Sequence, residues 1–294
     1  MTSHTEPHAF GATDVLLLVM AVIWGVNFSV IKFGLGVFPP LAFNALRVSV
    51  ASVALAALAF APGANLPSMA DRRRLMALGL LGHSVYQLLF MNGLSRARAG
   101  TVALVIGGTP AIIAILGRAF GFDRIHRRGA FGIATSILGV LLVVIGASTS
   151  GNHDDSLFGI ALILASSVCW SLYVMGLRTV HHVDGVQIAA WTLFGGALPL
   201  IISGLPALSR IDLARVPAGA WGSIAYSGLM AFVLAYLFWY RGMKRLGPTR
   251  TSMYANLQPI IALAAAWITL HETPTPWQFG GAACVITGLY LTRT

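Results

Sequence analysis

The chain has 294 residues, of which 57% are hydrophobic and 10% are charged, and its mean hydropathy is +0.80. No soluble domain of this length carries that balance, so the sequence predicts an integral membrane protein. The formal net charge is +10, but the basic residues are dispersed among short loops, which favours membrane topology over nucleic-acid binding. Cys169 and Cys284 both fall inside apolar stretches, so neither a disulfide framework nor a metal site is expected.

In chain order, the apolar stretches predict about ten membrane-spanning helices. Each is roughly 20 residues long, enough to cross a hydrocarbon core of about 30 Å. The first lacks the basic segment and the small-residue cleavage site of a signal peptide, and we expect it to be retained. The predicted spans cover residues 14–33, 38–60, 75–95, 100–120, 129–147, 157–178, 186–206, 219–241, 250–270 and 276–292.

The second half of the chain repeats the first. Trp24 and Lys32 have the same spacing as Trp170 and Arg178. Four further residues have counterparts 149 positions later: Pro110, Asp123, Gly132 and Gly139 are matched by Pro259, Glu272, Gly281 and Gly288. Five spans per half would insert the second copy from the opposite side of the membrane, an arrangement typical of transporters. We predict a first five-helix repeat at residues 1–147, a linker at 148–156 and a second, inverted repeat at 157–294.

The basic residues between spans predict the orientation. Clusters at 72–74, 124–128 and 241–250 would share one side of the membrane with both chain termini. The opposite side holds few basic residues and the acidic segment around Asp154 and Asp155. By the positive-inside rule, both termini are predicted to be cytoplasmic.

Polar and aromatic residues share faces on four of the predicted spans. At the i, i+3, i+4, i+7 spacing of one helix face, they form a stripe on span one, a matching stripe on span six, and further groups on spans three and eight. Exposing His or Gln to lipid costs free energy, so these faces should point into protein or water. The candidate substrate contacts on these spans are Trp24, Asn27, His83, Tyr86, Gln87, Trp170, Tyr173, Tyr236 and Trp239.

Each candidate also has a structural interpretation. Asn27 and Gln87 are either ligand contacts or interhelical hydrogen-bonding residues, and His83 is either a cavity residue or a buried imidazole. The aromatic residues are either a cavity wall or an interfacial belt. Asn44 and Arg47 lie within one turn of each other on span two; Arg47 either attracts a substrate carboxylate or extends to the interface.

Spans four and nine each contain a proline, at Pro110 and Pro259. A proline inside a spanning helix frees a carbonyl group, and we interpret these sites as hinges or static kinks. Asn256, three residues before Pro259, completes the candidate substrate contacts.

All nine acidic residues lie in loops, termini or span ends. Proton-coupled carriers commonly hold a carboxylate in the bilayer, so its absence favours an uncoupled carrier. The sequence contains no paired-carboxylate, H-E-x-x-H or G-x-S-x-G motif, which weighs against an enzyme, and we expect no metal or other cofactor.

The two five-span repeats resemble the drug/metabolite transporter superfamily, and within it the EamA-type exporters, including those of aromatic amino acids. The resemblance rests on Trp24, Gly25, Asn27 and Phe28, on the prolines of spans four and nine, and on the acids that follow them, Asp123 and Glu272. It implies an all-α bundle in which spans one to four and six to nine surround a cavity, with spans five and ten at the periphery.

The resemblance also implies export of amino acids or similar metabolites across the bacterial inner membrane. We therefore expect an uncoupled exporter of small metabolites, with aromatic or neutral amino acids favoured and the lipid bilayer as its surroundings. The alternatives are a proton-coupled multidrug or metabolite carrier and a membrane-embedded lipid-handling enzyme. Whether the protein works as a monomer or an oligomer stays open.

Overall fold

The computed structural model describes residues 10–121, 126–149 and 155–293, and within these residues the chain is helical between short turns. The first half contains α1 (Ala12–Leu35), α2 (Pro40–Ala59), α3 (Met69–Gly79), α4 (Tyr86–Leu94), α5 (Ala99–Gly107), α6 (Thr109–Ala119) and α7 (Arg127–Thr149). The second half contains α8 (Leu157–Gly176), α9 (Gly185–Leu208), α10 (Ala218–Ala225), α11 (Ala235–Ala255), α12 (Gln258–Leu270) and α13 (Pro276–Arg293).

Four short helical segments complete this order. Two are π-helical: Leu80–Val85 joins α3 to α4, and Tyr226–Leu234 joins α10 to α11. Two are 3₁₀ turns, Leu177–Val180 and Leu213–Arg215. The π-helical segments occupy matching places in the two halves, so the repeat seen in the sequence extends to local backbone geometry.

Within the described ranges, nine helical stretches are long and apolar enough to cross a membrane: Ala12–Leu35, Pro40–Ala59, Met69–Leu94, Ala99–Ala119, Arg127–Ala147, Leu157–Val180, Gly185–Leu208, Ala218–Gly247 and Met253–Leu270. They match the first nine predicted spans, and the all-α membrane fold is confirmed. The predicted tenth span corresponds to α13; a tenth crossing and the cytoplasmic termini stay predictions.

Two spans are longer than their apolar sequences predicted. Span three begins at Met69 rather than 75, because Ser68 caps the helix by accepting a hydrogen bond from the Asp71 amide at 3.1 Å. Span eight continues to Gly247 rather than ending at 241, and α11 is kinked there, since Gly247 has a φ of 79°. The basic residues expected in these two loops therefore lie on helix ends, from which long side chains can reach the interface.

The packing of the helices places the centre of the bundle between the two repeats. Helix α1 packs against α11 and α12, α2 packs against α9, and α4 packs against α8. Side chains that face outward include Phe131, 66% exposed, and Trp267, 57% exposed; we assign this surface to lipid.

The glycine stripes of spans five and ten pack against each other. A Cβ atom added to Gly139 would lie 2.7 Å from the Gly281 carbonyl oxygen and 2.8 Å from the Val285 amide nitrogen. Added to Gly288, it would collide with the Gly132 carbonyl oxygen. Close backbone approach through small residues therefore joins α7 to α13 within one chain.

Candidate substrate site

The two π-helical segments place an aromatic ring from each repeat at the centre of the bundle. A π turn adds a residue to the helical turn and redirects the side chains that follow it. His83 lies in the first segment and Phe232 in the second, and their side chains are 2% and 3% exposed. Their ring centroids are 6.1 Å apart.

Nine rings, including those of His83 and Phe232, pack together at the centre of the bundle and form what we call the aromatic cluster. The His83 centroid lies 5.4 Å from Tyr173 and 5.6 Å from Tyr236. The Trp170 centroid lies 5.4 Å from that of Tyr86 and 5.2 Å from that of Tyr173. The cluster comprises Trp24, His83, Tyr86, Trp170, Tyr173, Phe232, Tyr236, Trp239 and Tyr240.

The structure thus brings together all seven aromatic or imidazole side chains that the sequence nominated, and it adds Phe232 and Tyr240. The Tyr240 hydroxyl lies 2.8 Å from that of Tyr173, which also donates to the Thr192 hydroxyl at 3.4 Å. A continuation of the span-eight stripe by one helical turn beyond Tyr236 would have found Tyr240. These hydrogen bonds fix the Tyr173 ring against His83.

His83 places two ring nitrogens inside the cluster that are available for hydrogen bonds. Both of its ring nitrogens are buried, and neither has a hydrogen-bond partner among the described residues. The indole of Trp24, by contrast, donates to the Ala231 carbonyl at 3.0 Å. Unsatisfied buried polar atoms are rare and costly, so His83 is suited to contact a polar group of a bound molecule.

A second group of side chains, the Arg47 cluster, lies beside the aromatic cluster and comprises Asn44, Arg47, Gln87, Met91 and Ser227. The Arg47 guanidinium donates from Nε to Asn44 Oδ1 at 2.9 Å, from Nη1 to Ser227 Oγ at 2.9 Å and from Nη2 to Gln87 Oε1 at 2.6 Å. Arg47 is only 1% exposed. Its side chain therefore points into the bundle instead of extending to the membrane interface.

Phe232 connects the two clusters. The Arg47 Cζ atom lies 5.0 Å from the Phe232 ring centroid, a cation–π distance. On the far side, the Phe232 ring stacks on Tyr236 with centroids 6.1 Å apart. One molecule that reaches the Phe232 ring would therefore meet aromatic surface and a positive charge together.

Two further polar residues were nominated from the sequence, Asn27 and Asn256. Asn27 is half-buried on α1, and its Oδ1 atom is buried without a hydrogen-bond partner among the described residues. Asn256 is half-buried at the end of α11, next to the break before α12.

Spans four and nine are both broken near their prolines. Helix α5 ends at Gly107 and α6 begins at Thr109, while α11 ends at Ala255 and α12 begins at Gln258. The two breaks meet, because a Cβ atom added to Gly107 would lie 2.8 Å from Pro259 Cγ. The broken helices predicted from sequence are present, and their use as hinges stays a prediction.

Glu272, the acid that follows span nine, stabilises a neighbouring helix end. Glu272 accepts hydrogen bonds from the backbone amides of Ala99 at 3.1 Å and Gly100 at 3.2 Å, and it lies 4.0 Å from Arg98 Nε. Its carboxylate thus caps the N-terminus of α5, where the helix dipole favours negative charge. Asp123, its counterpart after span four, lies outside the described residues.

A cleft of about 410 Å³ lies where the α1–α2 turn meets the end of α4, and its lining includes Lys32, Phe38 and Ser95. Lys32 donates to the carbonyl oxygens of Leu94 at 3.1 Å and Ala97 at 2.7 Å.

The model of the EamA-like transporter family matches residues 11–145 and 157–294. The chain belongs to this family. The protein is therefore a multi-pass membrane transporter, and the candidate site lies at the centre of its helices. In bacteria such a transporter resides in the inner membrane.

Similar proteins cover almost the whole chain. The Bacillus subtilis (strain 168) protein "Uncharacterized transporter YyaM" is 31% identical over 94% of this chain and 91% of its own length. The Escherichia coli (strain K12) "Probable amino-acid metabolite efflux pump" is 30% identical over 94% of this chain and 93% of its own length. A solved crystal structure covers 96% of this chain and 98% of its own with a TM-score of 0.68 at 18% identity, which supports the fold alone.

Proposed function

We propose that this EamA-family transporter exports amino acids or closely related small metabolites, with aromatic and neutral ones preferred, by alternating access without a coupling ion. The observation that carries the proposal is the aromatic cluster at the interface of the two repeats, which contains the free His83 nitrogens. Carriers built from inverted repeats bind their substrates at such interfaces near the middle of the membrane. Ring surfaces with a few polar groups suit a small molecule that has an apolar side chain.

Two further observations support the substrate class and the absence of coupling. Relatives whose names refer to amino acids include the Escherichia coli protein above and the Streptantibioticus cattleyicolor "Probable terminal-alkyne amino-acid exporter", which is 27% identical over 94% of this chain. The sequence places no carboxylate in the middle of a span, so a proton carrier of the carboxylate type is lacking. The substrate gradient would then drive export by itself.

The test is uptake of labelled Trp, Phe, Thr and Lys into proteoliposomes, with and without a pH gradient. We expect flux of Trp and Phe that does not depend on the gradient, because the cluster offers aromatic surface and no titrating carboxylate. Gradient-dependent flux would favour the proton-coupled alternative, with His83 as the proton carrier. Absence of flux for every amino acid would overturn the proposed substrate class.

Two tryptophan variants separate the site from the fold. Trp170→Ala removes a ring that contacts Tyr86 and Tyr173, and we expect it to lower aromatic flux about tenfold or more. Trp267→Ala removes a ring that is 57% exposed on α12 and should leave flux near that of the wild type. Equal flux in the two variants would contradict the site assignment.

A further inference from the structure

Arg47 is a buried cation whose hydrogen-bond partners are all neutral. Its guanidinium contacts an amide oxygen of Asn44, an amide oxygen of Gln87, the hydroxyl of Ser227 and, at 3.1 Å, the Met91 sulfur. No carboxylate of the described residues lies within ion-pair distance of it. The ion pairs of the described chain involve other bases: Arg98 with Glu272, His182 with Asp71, and Arg215 with Asp212.

Such an arrangement is unfavourable unless a counter-ion arrives. Moving a charged group out of water costs several kcal/mol, and neutral hydrogen bonds compensate only part of that cost. Charged side chains inside spanning segments therefore tend to mark the binding sites of ions or substrates. The cluster also holds a spare donor, since Asn44 Nδ2 is buried without a partner among the described residues.

We infer that the Arg47 cluster binds the carboxylate of the transported molecule, while the adjoining aromatic cluster holds its side chain. This rests on the proposed function, and it restricts the substrate class to monocarboxylates such as amino acids. Within the described residues, four of the five guanidinium N–H groups already donate, which leaves one N–H on Nη1 for a carboxylate oxygen, and Asn44 Nδ2 adds a second donor in the same cluster. One positive charge balances one carboxylate, whereas a phosphate dianion would leave a second charge uncompensated.

The position of Phe232 links the two parts of the substrate. Its ring lies 5.0 Å from the Arg47 Cζ atom and 6.1 Å from the His83 centroid. A carboxylate on Arg47 would therefore project its attached chain along Phe232 toward His83 and Tyr236. A molecule with the same ring but without the anion would keep the aromatic contacts and lose the charged one.

The experiment compares two probes of the same shape, 3-phenylpropionate and 3-phenylpropanamide, by calorimetric titration of the purified protein in lipid nanodiscs. We expect wild-type protein to bind the carboxylate at least about tenfold more tightly than the amide, as charged hydrogen bonds of this kind allow. Equal affinity for the two probes, or binding of neither, would overturn the inference.

The decisive variant is Gln87→Glu, which is isosteric and places a carboxylate 2.6 Å from Arg47 Nη2. We expect it to fold, because it supplies the missing counter-ion, and to lose the tenfold preference for 3-phenylpropionate. The matched control is Asn92→Asp on the same helix, which adds the same charge beside Arg96, 3.2 Å from Asn92 Oδ1, and should retain the preference. If Gln87→Glu kept the preference as well, the carboxylate would bind elsewhere.

A second variant and a flux measurement distinguish this inference from the proposed function. Arg47→Met replaces the buried charge with an apolar chain and should also abolish the preference between the probes. Carboxylate preference without L-phenylalanine flux in proteoliposomes would support the Arg47 site and contradict the proposed export. Flux without carboxylate preference would support export and overturn the Arg47 inference.

Discussion

His83 and Phe232 occupy corresponding positions in the two repeats, 149 residues apart, and their rings are in tilted contact with centroids 6.1 Å apart. The repeat is symmetric in backbone, since each residue lies in a π-helical segment. It is asymmetric in chemistry, because the His83 ring carries two nitrogens that have no hydrogen-bond partner in the described part of the chain, and the Phe232 ring carries no polar atom. The pair therefore offers a bound molecule hydrogen-bonding atoms from one repeat and only ring surface from the other.

His83→Phe should separate transport from stability. The variant removes two unsatisfied nitrogens from the core, a change that is often neutral or stabilising when shape is kept. We expect unchanged or higher thermal stability in detergent and aromatic flux lowered about tenfold. The exchanged variant His83→Phe/Phe232→His restores one imidazole to the pair and should recover part of the flux. Full activity of His83→Phe would show that the imidazole is only a packing residue.

Glu272→Ala should destabilise the protein by about 1–2 kcal/mol, because it removes the carboxylate that caps two backbone amides of α5. Glu272→Gln keeps one acceptor oxygen and should lose about half as much. Arg215→Ala is the control, as this base is 87% exposed and pairs only with a surface carboxylate, Asp212, so its loss should leave stability near that of the wild type. Thermal unfolding in detergent orders the three variants, and equal shifts for all three would contradict the capping role.

Two neighbouring glycines test the α7–α13 interface. Gly281→Ala would place its Cβ atom 2.8 Å from the Gly139 carbonyl oxygen, a backbone atom that cannot move aside alone, and should cost about 1–3 kcal/mol. Gly280→Ala would meet its nearest neighbour, Leu142 Cδ1, at an ordinary 3.8 Å and should be neutral or slightly stabilising. Flux per folded molecule should stay unchanged in both, since this pair lies away from the aromatic cluster. Similar stability losses in both variants would contradict the packing assignment, because helix propensity alone favours alanine at both positions.

Much of the fold was predictable because membrane spans are read from hydropathy alone. The span-one stripe predicted the inward position of Trp24, and its copy on span six predicted that of Trp170 and Tyr173. Polar side chains in a membrane span must form their hydrogen bonds within the protein. The helical spacing of the polar residues therefore predicts which face of a span points inward. The helix start at Met69 was missed because the Ser68 cap extends α3 past the apolar run, and the kink at Gly247 lies beyond the apolar run of span eight.

The Arg47 cluster was only partly predictable. Asn44 and Arg47 share a helix, and their proximity follows from spacing, but Gln87 and Ser227 come from two other spans. Ser227 precedes Phe232 by five residues, so a 3.6-residue period does not place both on one face. The π-helical segment that contains them brings the two side chains to the same arginine. Sequence periodicity gives no signal for such a segment.

The paired breaks in spans four and nine predict a hinge. Pro110 has no amide hydrogen to donate to the Ile106 carbonyl, and α5 and α6 separate at Gly108. Pro110→Ala and Pro259→Ala each restore a backbone amide donor and should stiffen the break beside it. We expect flux to fall about threefold to tenfold, while binding of 3-phenylpropionate stays near that of the wild type. Pro199→Ala is the matched control, because Pro199 lies inside the continuous helix α9. If all three variants transport equally, the breaks are static; if the first two lose binding together with flux, they shape the site instead of moving it.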